Sequence, residues 1–242
     1  MNTLKVIRKW WAFDHILQQL KNIFRQEILV LGDSHAAVFK HTLLTSSFKN
    51  FYFNVVSVPG ATVSGLENPN SKTQAFQIFM NHIKNSKAQT TIVLLGEVDT
   101  GFVIWYRAEK YKTEVSEMLD AALTNYQKLL LTLSGKSRVI CISTPLPTIK
   151  DGQNWGEVAN ARKDVKATQL QRTMLTIQFN KTMQAFCKEN GMTYISFDEE
   201  SLGEDGLVDS RLLNFNSTSH HYAKHLYAEM IINKFKKYHV IV

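Results

Sequence analysis

The stretch Ile28-Leu29-Val30-Leu31-Gly32-Asp33-Ser34-His35 decides the fold. Four apolar, partly β-branched residues read as a strand buried on both faces, and Gly-Asp-Ser-His breaks that run just before a helical segment from Ala36. Ser34 therefore falls at the carboxyl end of a strand and the amino end of a helix, where open α/β sheets place their ligands. The helix terminus adds unpaired N–H groups and a partial positive charge, which suit a developing oxyanion.

Outward from this point the chain alternates strand and helix. A helix near Ala36 to Thr45 precedes a second strand at Phe51 to Val58. Gln74 to Asn85 reads as a helix and Thr91 to Leu95 as a third strand. A long amphipathic helix at Val115 to Leu133 leads into the strand Arg138 to Ser143. A helix from Thr168 to Asn190, ended by Gly191, is followed by the fifth strand, Tyr194 to Phe197, and a closing helix from His221 to Tyr238. Such alternation implies a parallel sheet covered on both faces, so a flavodoxin-like, three-layer α/β/α sandwich with five strands is expected over residues 27–242.

Composition narrows the class. With 242 residues and 44% apolar content the chain can bury one large core. Cys141 and Cys187 fall in a strand and a helix and do not resemble a ligand set, so a reduced, cytoplasmic protein with no metal and no cofactor is expected. No apolar run approaches the roughly 20 residues a spanning helix needs, and no signal-peptide pattern appears.

The formal charge of +7 is concentrated at the start, where Lys5, Arg8, Lys9, Lys21 and Arg25 stand against Asp14. The main domain carries no basic stripe with interleaved aromatics, which argues against nucleic acid as a partner. Residues 1–26 place Ile7, Trp10, Trp11, Phe13, Ile16, Leu17, Leu20, Ile23 and Phe24 at helical spacing. This basic amphipathic helix suits packing on its own domain, a homodimer contact, or a peripheral contact with an anionic membrane surface.

Three further segments sit where strands end. Val58-Pro59-Gly60-Ala61-Thr62-Val63-Ser64-Gly65 follows the second strand, Leu94-Leu95-Gly96-Glu97-Val98-Asp99-Thr100-Gly101 the third, and Asn214-Phe215-Asn216-Ser217-Thr218-Ser219-His220-His221-Tyr222 precedes the last helix. Together with Gly-Asp-Ser, these blocks resemble the SGNH/GDSL hydrolase superfamily from Ile28 to about Tyr238. The resemblance implies an ester-cleaving enzyme in which Ser34 is the nucleophile and His221 the general base, with His220 the alternative in a shifted register. It implies oxyanion N–H donors from Ser34 and from a glycine of the second block, Gly65 first and Gly60 in reserve.

Two positions depart from the family pattern. Val98 stands where Gly-x-Asn-Asp carries an amide donor, and Thr218 or Ser217 stands where Asp-x-x-His carries its acid. Asp209 is the nearest upstream carboxylate. A Ser-His dyad whose imidazole is held by a hydroxyl or a carbonyl remains workable.

Asp33, His35, Glu97 and Asp99 are candidate substrate contacts beside Ser34, with a salt bridge from Glu97 or Asp99 to Arg107 or Lys110 as the competing reading. Trp105-Tyr106-Arg107 forms a possible wall. The long connection from Thr144 to about Ala167 has the length of a lid, in which Trp155 can stack on a sugar while Asn160, Arg162 and Arg172 receive hydroxyls or an anion. The expected substrate is an O-acyl, chiefly acetyl, ester of a carbohydrate, a class the resemblance implies. The alternatives are an O-acyltransferase of surface-polysaccharide assembly and a glycan-binding module that has lost its chemistry.

Overall fold

The computed structural model describes residues 25–153 and 165–241. The expected amino-terminal helix, apart from its last residues, lies outside the described residues, as do Trp155, Asn160 and Arg162.

Strand β1 (Gln26–Gly32) is the second of five in the order β2-β1-β3-β4-β5, with β2 (Phe51–Ser57), β3 (Thr90–Leu94), β4 (Arg138–Ile142) and β5 (Thr193–Ile195). Every pairing is parallel, and Val30 lies between Val55 and Ile92. The apolar run of β1 follows from its two-sided burial. Ile28 and Val30 enter one hydrophobic cluster and Leu29 and Leu31 another, all at most 1% exposed. Each such side chain contributes about 1.5–3 kcal/mol on burial.

Among the described residues the α-helices are α1 (Thr42–Ser47), α2 (Ala75–Asn85), α3 (Ile104–Tyr111), α4 (Val115–Ser134), α5 (Gln169–Glu189), α6 (Asp198–Ser201) and α7 (Lys224–Lys237). The Ile28 side is packed by Leu44 of α1 and by Tyr227, Ile231 and Phe235 of α7. The Leu29 side is packed by Phe79 of α2, Leu123 and Leu130 of α4, and Phe179 and Met183 of α5. The three-layer α/β/α sandwich with a five-stranded parallel sheet is therefore the observed architecture. Gly32 closes β1 because a Cβ there would lie 2.2 Å from the Leu94 carbonyl oxygen and 2.7 Å from the Ala36 Cβ.

Three local readings need correction. The helix expected at Ala36 to Thr45 is divided into a 3-10 turn over Ser34–Lys40 and α1. His41 between them is extended at φ −68° and ψ 138°, and its Nδ1 accepts the Leu43 N–H at 3.3 Å, so it caps the second segment.

The closing helix starts at Lys224, three residues later than His221. The preceding residues are held instead by Tyr222, which bridges to Leu213 and whose buried hydroxyl accepts the Leu146 N–H at 2.7 Å.

The first part of the expected lid is a buried strap. Residues 143–149 are buried, and α5 donates to two of their carbonyls: Gln169 Nε2 to Pro147 O at 2.9 Å and Arg172 Nη2 to Ile149 O at 2.8 Å. Arg172 is thus committed to the scaffold. Thr168 and Gln171 form a reciprocal capping box that starts α5 at this junction. Among the described residues no helix is long and apolar enough to cross a membrane.

Candidate active site

Ser34 and His221 meet at the carboxyl rim of the sheet. Ser34 opens the 3-10 turn directly after β1, and His221 sits in the loop before α7. Ser34 Oγ lies 2.7 Å from His221 Nε2. The two border a pocket of about 250 Å³ whose walls include Ser57, Pro59, Tyr222, Lys224 and Tyr227. Ser57 ties β2 to this rim by donating its hydroxyl to the Asp33 carbonyl at 2.9 Å.

The His221 ring is half-buried between two other imidazoles. Its centroid lies 4.6 Å from that of His35 and 4.0 Å from that of His220. Burial first, and then the positive potential of His35, His220 and Lys224, pushes its pKa down from 6.5 to about 3, against an upward pull from Glu97. The ring is neutral at neutral pH, so Nε2 can accept the serine proton.

Among the described residues no carboxylate hydrogen-bonds this ring. Thr218 donates its hydroxyl to Asn216 Oδ1 at 2.7 Å, and Ser217 is exposed. Asp209 is bound by Arg211, whose Nε lies 3.0 Å from Oδ2. None of the three takes the place of the acid.

Two of the carboxylates expected to face substrate, Asp33 and Asp99, bond groups of the chain itself. Asp33 is fully buried, and its Oδ1 accepts the His35 backbone N–H at 2.8 Å and pairs with His35 Nδ1 at 3.0 Å. His35 and Glu97 are also buried, at 4% and 2% exposure. Asp99 is fully buried and accepts the Val63 N–H at 2.8 Å and the Ser64 N–H at 3.0 Å. Burial drives its pKa up from 3.8 to about 6, opposed by the Ser64 and Val63 hydrogen bonds and by the Arg107 charge. Arg107 Nη1 donates to Ser64 O at 3.4 Å. Asp99 and Arg107 therefore brace the loop after β2. The Arg107 charge acts on Asp99 electrostatically, and no ion pair joins the two among the described residues.

The two candidate glycines differ in the same loop. The Gly65 amide donates to Thr62 O at 3.2 Å inside a short 3-10 turn and is thereby taken. Gly60 occupies the left-handed region at φ +72°, where the Val58–Ala61 turn closes with Ala61 N–H donating to Val58 O at 3.0 Å. It follows Pro59, which lines the pocket. Among the described residues neither the Ser34 nor the Gly60 amide hydrogen goes to a backbone acceptor outside regular helices and strands. Val98 offers no donor in place of an asparagine amide.

Tyr222, Lys224, Ser57 and Pro59 are pocket residues that motif reading passed over. Their signal was adjacency: two follow His221 and two precede Gly60. Among the described residues no group of three or more His, Cys, Asp or Glu side chains could hold a metal ion, and Cys141 and Cys187 are free and buried.

No protein-family model matches the sequence, and neither does any curated protein. Solved structures do. A GDSL-like lipase from Bacteroides thetaiotaomicron VPI-5482 superposes with a TM-score of 0.60 at 13% identity, covering 89% of each chain. The fold is that of the SGNH/GDSL hydrolases. An extracellular lipase from Streptomyces rimosus has a TM-score of 0.54 at 12% identity over 88% of this chain and 99% of its own. An acetyl xylan esterase has a TM-score of 0.53 at 10% identity over 87% and 98%. On this SGNH-like scaffold Ser34 and His221 meet beside one small pocket, and the acid and amide positions of the family pattern carry Thr218 and Val98.

Proposed function

We propose that this chain is a serine ester hydrolase of the SGNH type, acting on a short O-acyl ester of a carbohydrate. The observation that carries the reading is the 2.7 Å approach of Ser34 Oγ to a neutral His221 Nε2. Ser34 Oγ attacks the acyl carbon as its proton passes to His221 Nε2. The backbone N–H groups of Ser34 and Gly60 hold the tetrahedral oxyanion. Collapse of that intermediate breaks the bond to the alcohol oxygen, which leaves with the proton from His221. Water then loses a proton to the same nitrogen and attacks the acyl-serine; the second intermediate collapses by breaking the Ser34 Oγ–acyl bond, the serine oxygen takes the proton back from His221, and the carboxylic acid is released.

A small pocket beside Ser34 suits an acetyl or similarly short acyl group. The acetyl xylan esterase among the similar folds supports a sugar alcohol as leaving group. A base whose proton affinity is so low accepts the serine proton less readily than one poised near neutrality, so a modest turnover number is expected.

The test is acetate release from p-nitrophenyl acetate and from an acetylated xylo-oligosaccharide by wild type, Ser34→Ala and His221→Ala. Turnover by wild type that both variants lose supports the reading. Glycan binding without turnover would sink it in favour of a binding module. Turnover raised by an added acceptor sugar, with acetate appearing on that sugar, would reassign the chain to acyl transfer.

A further inference from the structure

An imidazole that shuttles a proton must be held in one orientation, and in hydrolytic triads a carboxylate on its far nitrogen does this. His221 has no such carboxylate among the described residues. What it has instead is ring contact on two sides. His35 lies against it at 4.6 Å between centroids with 50° between planes, and His220 at 4.0 Å and 40°. His35 and His220 also approach one another edge-on at 5.7 Å, so the three rings form one cluster.

His35 is itself fixed. Asp33 Oδ1 accepts its backbone N–H at 2.8 Å and pairs with its Nδ1 at 3.0 Å. The other Asp33 oxygen, Oδ2, is buried without a hydrogen-bond partner among the described residues, so the side-chain anchoring runs through His35. His220 is tied to the strap after β4, since Thr148 donates its hydroxyl to the His220 carbonyl at 2.7 Å. Both flanking rings are therefore attached to buried scaffold, and because they also contact one another they meet His221 on adjacent sides.

We propose that the Asp33–His35 pair and His220 are the positioning residues for His221, clamping its ring from two sides where a carboxylate would otherwise orient it. This rests on the reading of Ser34 and His221 as nucleophile and base. The clamp has an electrostatic consequence. His35, His220 and Lys224 disfavour a proton on His221, while Glu97 favours one. Loosening the clamp at His35 removes one of the disfavouring groups and admits water, and both changes raise the proton affinity of the ring.

His35→Asn tests this, because the asparagine amide can still donate to Asp33 Oδ1 while the ring is gone. The expected result is a folded protein whose kcat falls about tenfold to a hundredfold, part of the range a general base supplies, with KM unchanged. NMR titration of the His221 imidazole should move its midpoint up by about one pH unit or more relative to wild type. At the other flank, His220→Phe keeps a ring and should retain most of kcat, whereas His220→Ala should lose it.

A kcat for His35→Asn within twofold of wild type, an unmoved His221 midpoint, or equal rates for His220→Phe and His220→Ala would overturn the clamp. The titration reads the ring whether or not Ser34 is a nucleophile. An unmoved midpoint therefore condemns the clamp alone, while an inactive wild type with a moved midpoint condemns the catalytic reading alone.

Discussion

The Asp99 carboxylate accepts the Ser64 amide hydrogen at 3.0 Å and the Val63 amide hydrogen at 2.8 Å, so the turn after β3 holds the loop after β2. That loop carries Gly60, and its position relative to Ser34 depends on a buried charge. Asp99→Asn exchanges one accepting oxygen for an NH2 group that faces a donor. A fall in kcat of about tenfold or more is expected, since lost oxyanion donors alone cost 10²–10³, and steady-state kinetics on a small acyl ester will measure it.

The same carboxyl makes stability depend on pH. Its folded pKa of about 6 lies above the ordinary 3.8, so the folded state binds the proton more tightly. The contribution of this carboxyl to stability is then greatest below about pH 4 and is lost as pH rises through 6, by about 3 kcal/mol at 1.36 kcal/mol per pH unit, while His221, lowered to about 3, works in the opposite direction between about pH 6.5 and 3. Asp198, also raised to about 6 by burial, adds to the same slope. Urea unfolding isolates the carboxyl as a difference: the stability of wild type relative to Asp99→Asn should fall by up to about 3 kcal/mol between pH 4 and pH 7, and a constant difference would contradict it.

Glycine substitutions separate the two oxyanion candidates. Gly60→Ala forces an L side chain into φ +72°, which costs about 1–2 kcal/mol and moves the amide. Gly65→Ala leaves the backbone in its short 3-10 turn, with its new Cβ 2.6 Å from the hydroxyl of Thr62, a side chain able to rotate. Gly60→Ala should lower kcat more than tenfold by loss of an oxyanion contact, and Gly65→Ala should change it by less than about threefold. The reverse order would return Gly65 to the first place.

Tyr222 joins the His221 loop to the strap after β4 through its bond from Leu146 N–H at 2.7 Å. Tyr222→Phe leaves that buried amide without its acceptor and should destabilise the protein by about 1–3 kcal/mol. Thermal unfolding should therefore begin about 2–4 °C lower per kcal/mol for a chain of this size. An unchanged transition would show that the strap does not depend on the hydroxyl.

Much of this was readable from residues. The two-sided burial of β1 is written in Ile28-Leu29-Val30-Leu31, and the alternation of apolar strands with amphipathic helices led to the parallel sandwich. Ser34 and His221 are legible because each stands at an element boundary beside a recognisable motif. What was not readable depends on direction. Asp33 and Asp99 occupy rim positions, yet their carboxylates bond the chain's own amide hydrogens, and sequence spacing does not encode that. Gly65 and Gly60 look alike as letters and differ only in where their N–H groups point. Thr144 to Ile149 reads as a loop because its Pro-rich sequence has no period, whereas Gln169 and Arg172, about twenty residues later, make it a buried strap.

The central claim is that Ser34 Oγ, 2.7 Å from His221 Nε2, is a nucleophile activated by that imidazole. The most direct measurement is treatment of the folded protein with a fluorophosphonate, followed by intact mass and peptide mapping. A single phosphonyl adduct on Ser34, absent in Ser34→Ala and formed more slowly in His221→Ala, is the predicted result. No adduct on the folded wild type, an adduct on another residue, or labelling of Ser34 at the same rate without His221 would contradict it.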